Sequence, residues 1–155
     1  MKKVMVLTAA IVIAAMPALA DTKNVIFQYN MNTSLTSASK LEGTPEIIQE
    51  EKQTRYDFRM TDNIIVSIAE KDNDIRVCSV ICKDESESAE FLAQCAASAS
   101  TIVGFENIYY LYADILDMFL QTRSGETLER RKNYTAQAVY QLTKESFGYL
   151  FMIAR

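Results

Sequence analysis

The stretch that decides the fold runs from residue 75 to residue 103 and reads IRVCSVIC, KDESES, AEFLAQCAASASTIV. Residues 75–82 are rich in β-branched side chains, apolar on both faces and bounded by turn-forming aspartates, which predicts an interior strand. The last part of the stretch places Phe91, Cys95 and Ile102 on one stripe at the helical period, which predicts an amphipathic helix. We therefore expect a central strand that turns into a helix lying back across the sheet.

All three cysteines of the chain lie in this stretch. Cys78 and Cys82 share a strand face, but in an extended strand their Cα atoms would be about 13 Å apart, beyond the disulfide limit of about 7 Å. Cys95 faces the sheet, and a helix returning over the strand would place it opposite Cys78. We predict a disulfide between Cys78 and Cys95. Pairing of Cys82 with Cys95 is the second choice, and three buried free thiols are the alternative.

Residues 1–20 have the pattern of a secretory signal peptide. Lys2 and Lys3 precede an apolar run that ends at Pro17, and a small-residue Ala-Leu-Ala sequence closes the segment at Ala20. The run is too short to span a bilayer of about 30 Å, which argues against a membrane anchor. We predict cleavage after Ala20 and a bacterial periplasmic or secreted location, where an oxidising environment favours disulfides.

The remaining chain, residues 21–155, has the length of one domain with a modest core. Two of the 16 basic residues of the full chain lie in the predicted signal peptide, which leaves 14 basic against 20 acidic residues in this domain. This acidic balance argues against nucleic acid or anionic lipid as a partner. No later run is apolar for long enough to cross a membrane, so we expect no membrane anchor after signal cleavage.

The first part of the predicted domain combines one strand, one loop and one helical turn. Residues 24–31 alternate through Val25, Phe27, Tyr29 and Met31, which predicts a half-buried strand. Residues 32–44 are rich in Ser and Thr, which predicts a surface loop that could serve in recognition. Residues 44–51 open with Thr-Pro-Glu, which predicts a short helical turn.

Four further segments complete the predicted sheet. Residues 53–60 alternate cleanly, and residues 64–69 form the next strand; short connections should join both to the central strand as an antiparallel meander. Residues 134–142 alternate again and predict another half-buried strand. Residues 147–154 are apolar on both faces, so we expect this last strand to lie beside the central one.

A second helix is predicted from about residue 106 to residue 120. Glu106, Tyr110, Asp114 and Asp117 line its outer face, opposite an apolar inner stripe that includes Tyr112. An exposed tyrosine among carboxylates can anchor a basic or apolar side chain of a partner, so these four residues are the candidate partner-binding surface. A solvated acidic face is the alternative interpretation.

Several chemistries are excluded by composition. The chain has no histidine, which removes Ser-His-Asp and Cys-His triads and the usual zinc-hydrolase ligand sets. Its four glycines form no phosphate-binding loop. Asp114 and Asp117 lie one helical turn apart, but no further ligands stand at matching spacing. We expect no metal and no cofactor.

The sequence therefore predicts an α+β domain with a mostly antiparallel sheet of about six strands and two consecutive helices packed on one face. We expect a non-enzymatic binding protein that acts through a protein partner, as an inhibitor, an immunity-type factor or an assembly accessory would. The alternative function is a carrier of an apolar small molecule held between sheet and helices. A carboxylate-based hydrolase is the third.

Overall fold

A computed structural model describes the chain from residue 21 to residue 133 and from residue 137 to residue 155. Within these ranges it contains one sheet of seven strands and three α-helices, which confirms the α+β class with one strand and one helix more than predicted. The strands are β1 (Glu46–Gln49), β2 (Thr54–Arg59), β3 (Ile64–Lys71), β4 (Asp74–Cys82), β5 (Thr127–Asn133), β6 (Gln137–Glu145) and β7 (Gly148–Ala154). The helices are α1 (residues 21–36), α2 (Ser88–Val103) and α3 (Ile108–Gln121), with single 3₁₀ turns at Glu85–Glu87 and Phe105–Asn107.

The strands are antiparallel throughout and lie in the order β1-β2-β3-β4-β7-β6-β5. The predicted meander is confirmed as β2-β3-β4, and β4 occupies the middle of the sheet. The last strand, β7, pairs with β4 through Cys78 and Ile153 and through Cys82 and Tyr149. Both strands are interior, as their apolar residues on both faces predicted.

Gly148 allows β7 to start against β4. Its φ is +136°, and a Cβ atom built on it would lie 2.0 Å from the carbonyl oxygen of Cys82. Only glycine combines that backbone conformation with so close an approach. The turn at the start of β7 therefore depends on this residue.

The strand predicted at residues 24–31 is wrong, because these residues belong to α1. Val25 and Tyr29 are fully buried, while Phe27 and Met31, which the strand interpretation placed on the same face, are exposed. Val25 and Tyr29 are four residues apart, a spacing that puts two residues on the same face of a strand and also on the same face of a helix. The alternating pattern was therefore also compatible with a helix at these two positions. The buried residues Thr33 and Thr36 continue the helical face.

Two neighbouring predictions are also corrected. The loop predicted at residues 32–44 begins only after α1, and the helical turn predicted at residues 44–51 is instead the short edge strand β1. Three consecutive basic residues, Arg130, Arg131 and Lys132, form part of β5, the opposite edge strand. Its charges suit an edge, where exposed backbone groups would otherwise invite pairing with another chain.

All three helices lie on one face of the sheet. The middle helix is α2, which packs on β4, β7 and β6 and has twelve of its sixteen residues buried. Helix α1 packs beside it through Tyr29, which contacts Gln94 and Ser98. Helix α3 packs on its other side and reaches β6, where Asp114 accepts a hydrogen bond from Tyr140. Helix α2 is therefore packed between α1 and α3.

Some predictions fall on residues that the structure does not describe. The predicted signal peptide, residues 1–20, and the first three residues of the strand predicted at 134–142 lie outside the described ranges. The rest of that strand is confirmed within β6. Among the described helices, none is both long enough and apolar enough to cross a membrane.

Candidate functional site

An apolar groove of about 640 Å³ runs along the outer side of the helical layer. Residues of all three helices and of the turn after α1 line this groove, and no residue of a strand does. The lining side chains are Leu35, Thr36, Ser37, Ala89, Glu90, Ala93, Ile108, Tyr109, Tyr112, Ala113 and Leu116. The groove therefore lies on the side of α2 that faces away from the sheet.

The shape of the groove follows from the size of its lining residues. Ala89 and Ala93 of α2 and Ala113 of α3 provide methyl groups only, while Leu35, Tyr109 and other large side chains stand at the sides. An alanine leaves room where a leucine at the same helical position would fill it. Three helices can therefore pack closely below the groove and still leave a concave, mainly apolar surface above.

Large apolar side chains around the groove are exposed. Tyr109 is 86% exposed, and Leu35 and Tyr112 are also exposed. From Leu35 the apolar surface continues along α1 through Met31 and Phe27, which are both more than half exposed. We call Phe27, Met31 and Leu35 the α1 stripe; its four-residue spacing keeps it on one side of the helix. Contiguous exposed apolar surface of this kind marks interaction sites.

A buried hydrogen-bond network centred on Gln94 fixes α1 and the following loop. The Tyr29 hydroxyl donates to Gln94 Oε1 at 2.7 Å, and the two side chains are fully buried. Gln94 Nε2 donates to the carbonyl oxygen of Ser39 at 2.8 Å and to Glu90 Oε1 at 2.8 Å. The Ser39 amide donates to the same Glu90 oxygen at 2.9 Å. The rim of the groove is thus tied to α2 by satisfied polar groups.

Asn30 adds a second clamp on the same loop. Its Nδ2 donates to the carbonyl oxygen of Leu41 at 3.0 Å, and the Leu41 amide donates to Asn30 Oδ1 at 2.8 Å. The side-chain amide therefore pairs with the Leu41 backbone as a strand neighbour would. Leu41 itself is buried, so the clamp holds the loop against the core.

Glu90 is the one charged residue among the groove-lining side chains. It sits on α2 at the end of the groove nearest the loop, and both of its hydrogen bonds use Oε1. A carboxylate beside an apolar concavity favours a ligand that carries a cationic group next to apolar ones. The acidic balance of the chain reinforces this preference.

The four contact residues predicted on the second helix fall into two groups, with Glu106 in the 3₁₀ turn before α3 and the other three in α3. Glu106 and Tyr110 are exposed, and Tyr110 has 74% of its surface accessible. Asp114 and Asp117 instead converge on Arg130 of β5, which donates through Nη1 to Asp114 and through Nη2 to Asp117 at 2.5 Å. These two carboxylates anchor α3 to the sheet.

The electrostatics of this anchor follow from its hydrogen bonds. Donation from Arg130, followed by donation from Gln121, lowers the pKa of Asp117. Asp114 also accepts a hydrogen bond from the hydroxyl of the buried Tyr140. Partner binding by these four residues stays a prediction. Two of their carboxylates, Asp114 and Asp117, already form ion pairs with Arg130.

The three cysteines are free thiols in the structure, and all are buried. Burial raises the pKa of Cys78 and of Cys95, and the neighbouring Cys82 raises the pKa of Cys95 further. The predicted disulfide stays a prediction.

The space that the carrier hypothesis requires between sheet and helices is occupied by side chains. Tyr29, Phe91, Tyr140 and Phe151 are fully buried in that layer. The apolar space of the groove lies outside it. Among the described residues, no three His, Cys, Asp or Glu side chains are grouped in a way that could hold a metal ion.

The residues that form the groove were not among those predicted from the sequence. Leu35 fell in a predicted loop, and Tyr112 was assigned to the buried side of the second helix. The available signals were the three tyrosines at positions 109, 110 and 112, which are too many for one buried stripe, and the alanines at one end of α2. Their meaning depends on α1, which had been assigned to the sheet.

Comparisons of the chain with protein-family models, with curated proteins and with solved structures find no match.

Proposed function

We propose that the chain is an exported, non-enzymatic binding protein whose groove holds an apolar segment of a protein partner. The observation that carries this proposal is the continuous exposed apolar surface of the groove and the α1 stripe, in a chain with 23% charged residues. Surfaces of this kind are uncommon on proteins without an interaction there. The hydrogen bonds at the groove's rim keep it formed before the partner arrives, which lowers the entropic cost of binding.

The chemistry of the groove defines the partner segment. A concave surface between helices, with tyrosine and leucine at its sides, suits an amphipathic helix that inserts apolar side chains one turn apart. Glu90 at one end suits a basic residue on the same segment. The expected partner is therefore a protein with an apolar helical segment flanked by lysine or arginine.

The groove also supports a second candidate function, the binding of an apolar small molecule. Its volume lies within the range of about 300 to 1,000 Å³ that is typical of small-molecule sites, and most of its lining is apolar. This candidate differs from the carrier predicted from sequence, because the ligand would lie on the outer side of the helices. Saturable binding of the neutral probe N-phenyl-1-naphthylamine, with no protein captured, would support it.

The test is to fill the groove from its own lining. Ala113 is an exposed groove residue of α3, so Ala113→Trp adds a large ring without disturbing the core. Leu120→Trp is the matched control, because Leu120 is exposed on the same helix and does not line the groove. In affinity capture from an envelope extract, the wild-type chain and Leu120→Trp should retain the same protein, and Ala113→Trp should lose it. Equal capture by all three chains would contradict the proposal.

A further inference from the structure

The face of the sheet that points away from the helices, here called the open face, carries an apolar centre. Every helix in the described residues packs on the other face. Antiparallel sheets that expose one face normally alternate apolar residues inward with polar residues outward. The central strands β4 and β7 do not follow this pattern, because they are apolar on both faces.

The strand register shows how the apolar centre is arranged. Three rows of directly paired residues cross β3, β4, β7 and β6. The rows consist of Ile65, Ile81, Leu150 and Thr143; of Ser67, Ser79, Met152 and Gln141; and of Ala69, Val77, Ala154 and Val139. Eight of these twelve residues are apolar. Met152 is the one apolar residue of the second row and is 39% exposed. No charged residue stands in these three rows.

The charges of the open face lie on its outer strands and at the ends of β3, β4 and β6, and they nearly cancel. Arg55 and Asp57 of β2 form an ion pair at 3.1 Å, and Arg131 and Glu129 of β5 form another at 2.9 Å. The register adds Arg59, Glu46, Glu145 and the paired Lys71 and Asp74 to the same face, which gives four basic side chains against five carboxylates. The open face is therefore a surface on which two copies of this acidic chain repel each other little.

We infer that the open face is the interface between two copies of this chain, packed face to face as the two sheets of a sandwich. Seven strands about 4.8 Å apart, each about six residues long, give a flat face of roughly 600 Å². The side chains that project from the sheet add to this area. A standard interface buries roughly 800 Å² per partner, so the available area is close to what a stable dimer needs. An apolar centre with a polar, balanced rim is also the anatomy of such interfaces.

The inference does not depend on what occupies the groove. The groove lies on the outer side of the helical layer, so face-to-face packing of the sheets leaves it free. The dimer carries two grooves on opposite sides and can hold two partner segments, or one partner with two segments, at increased avidity.

Sedimentation velocity of the wild-type chain over about 1 to 100 µM tests the inference, because an interface somewhat smaller than the standard size is expected to bind at the weak, micromolar end of the range. The wild type should sediment as a dimer at the upper end of this range. Met152→Arg should raise the dimer dissociation constant at least about 30-fold, the loss typical of a central interface residue. Met31→Arg makes the same substitution on the α1 stripe and should leave the dimer intact.

Circular dichroism identifies a variant that does not fold. If Met152→Arg loses the wild-type spectrum, Ser79→Arg replaces it, because Ser79 pairs directly with Met152 on the open face. A wild-type chain that is monomeric at every concentration would overturn the inference. So would a folded Met152→Arg or Ser79→Arg chain with the wild-type dissociation constant.

Discussion

The hydroxyl of Tyr29 lies 2.7 Å from Oε1 of Gln94, and this buried hydrogen bond joins α1 to the middle helix of the layer. Gln94 in turn holds the loop after α1 through Ser39. The position of Leu35 at the groove therefore depends on a polar contact far from the groove's apolar lining. Two of the predictions below test this dependence.

Tyr29→Phe should lower the free energy of unfolding by about 1 to 3 kcal/mol, the cost of leaving buried polar groups unpaired. The substitution keeps the ring and removes the donor to Gln94 and the contact with Ser98. Urea denaturation followed by circular dichroism measures the change. The control is Tyr110→Phe on an exposed tyrosine, which should stay within about 0.5 kcal/mol of wild type. Equal stability of the two variants would show that the Tyr29 hydroxyl contributes nothing.

Asn30→Ala should release the loop that borders the groove without unfolding the chain. It removes both hydrogen bonds to the Leu41 backbone, and each typically contributes about 0.5 to 1.5 kcal/mol. Hydrogen exchange at the Leu41 amide should become faster, and capture of the partner should weaken. Asn24→Ala is the control on the same helix. Unchanged exchange at Leu41 would contradict the clamp.

The local pattern of the sequence determined most of the sheet. Strands β2, β3, β4 and β7 were predictable because the sequence of each reflects its place in the sheet. Each either alternates between apolar and polar residues or is apolar on both faces. The short β1 and the charged β5 were not, because edge strands of this composition form only once a neighbour offers its backbone. Helix α1 was mistaken for a strand because Val25 and Tyr29 fit both periodicities. Its half-buried Ile26, an exception in the strand pattern, fits the helix.

The Asp117 ion pair should contribute stability that disappears in acid. Its pKa is lowered in the folded state, so the folded state favours the ionised carboxylate, and the contribution is complete above the ordinary aspartate pKa of about 4. As the pH falls below that value, the unfolded chain takes up the proton first and the contribution is lost. The difference in urea midpoint between wild type and Asp117→Asn should therefore be constant above about pH 5 and shrink below about pH 4. A difference that grows in acid would contradict this sign.

The three thiols should resist alkylation while the chain is folded. Their pKa values are raised by burial, and the thiolate is the reactive form. Iodoacetamide should therefore modify none of them at neutral pH, and unfolding without reductant should expose all three, as the structure shows free thiols. Peptide mapping identifies each modified cysteine. If only Cys78 is modified after unfolding, Cys82 and Cys95 are bridged; if only Cys82 is modified, the pairing predicted first from sequence is present.

The site was less predictable than the fold because three distant segments form it. Residues 35–37, 89–93 and 108–116 meet only when α1 and α3 pack on either side of α2. Sequence periodicity grouped Glu106, Tyr110, Asp114 and Asp117 on one helix face, but Glu106 lies in the 3₁₀ turn before α3 and the other three divide between solvent and the sheet. It could not show that Asp114 and Asp117 would form ion pairs with Arg130 of the sheet. It also could not show that Tyr109, next to Tyr110, would face a groove.

Photo-cross-linking at two adjacent tyrosines tests the central claim, that the groove holds the partner. Benzoylphenylalanine in place of Tyr109 puts the reactive group in the groove, and in place of Tyr110 it puts the same group on the outer face of the same helix. The chain is irradiated in the cells that produce it, and adducts are identified by mass. The groove account predicts a discrete protein adduct from position 109 and none from position 110. An adduct from position 110 alone would contradict it and support the outer face of α3 as the binding surface.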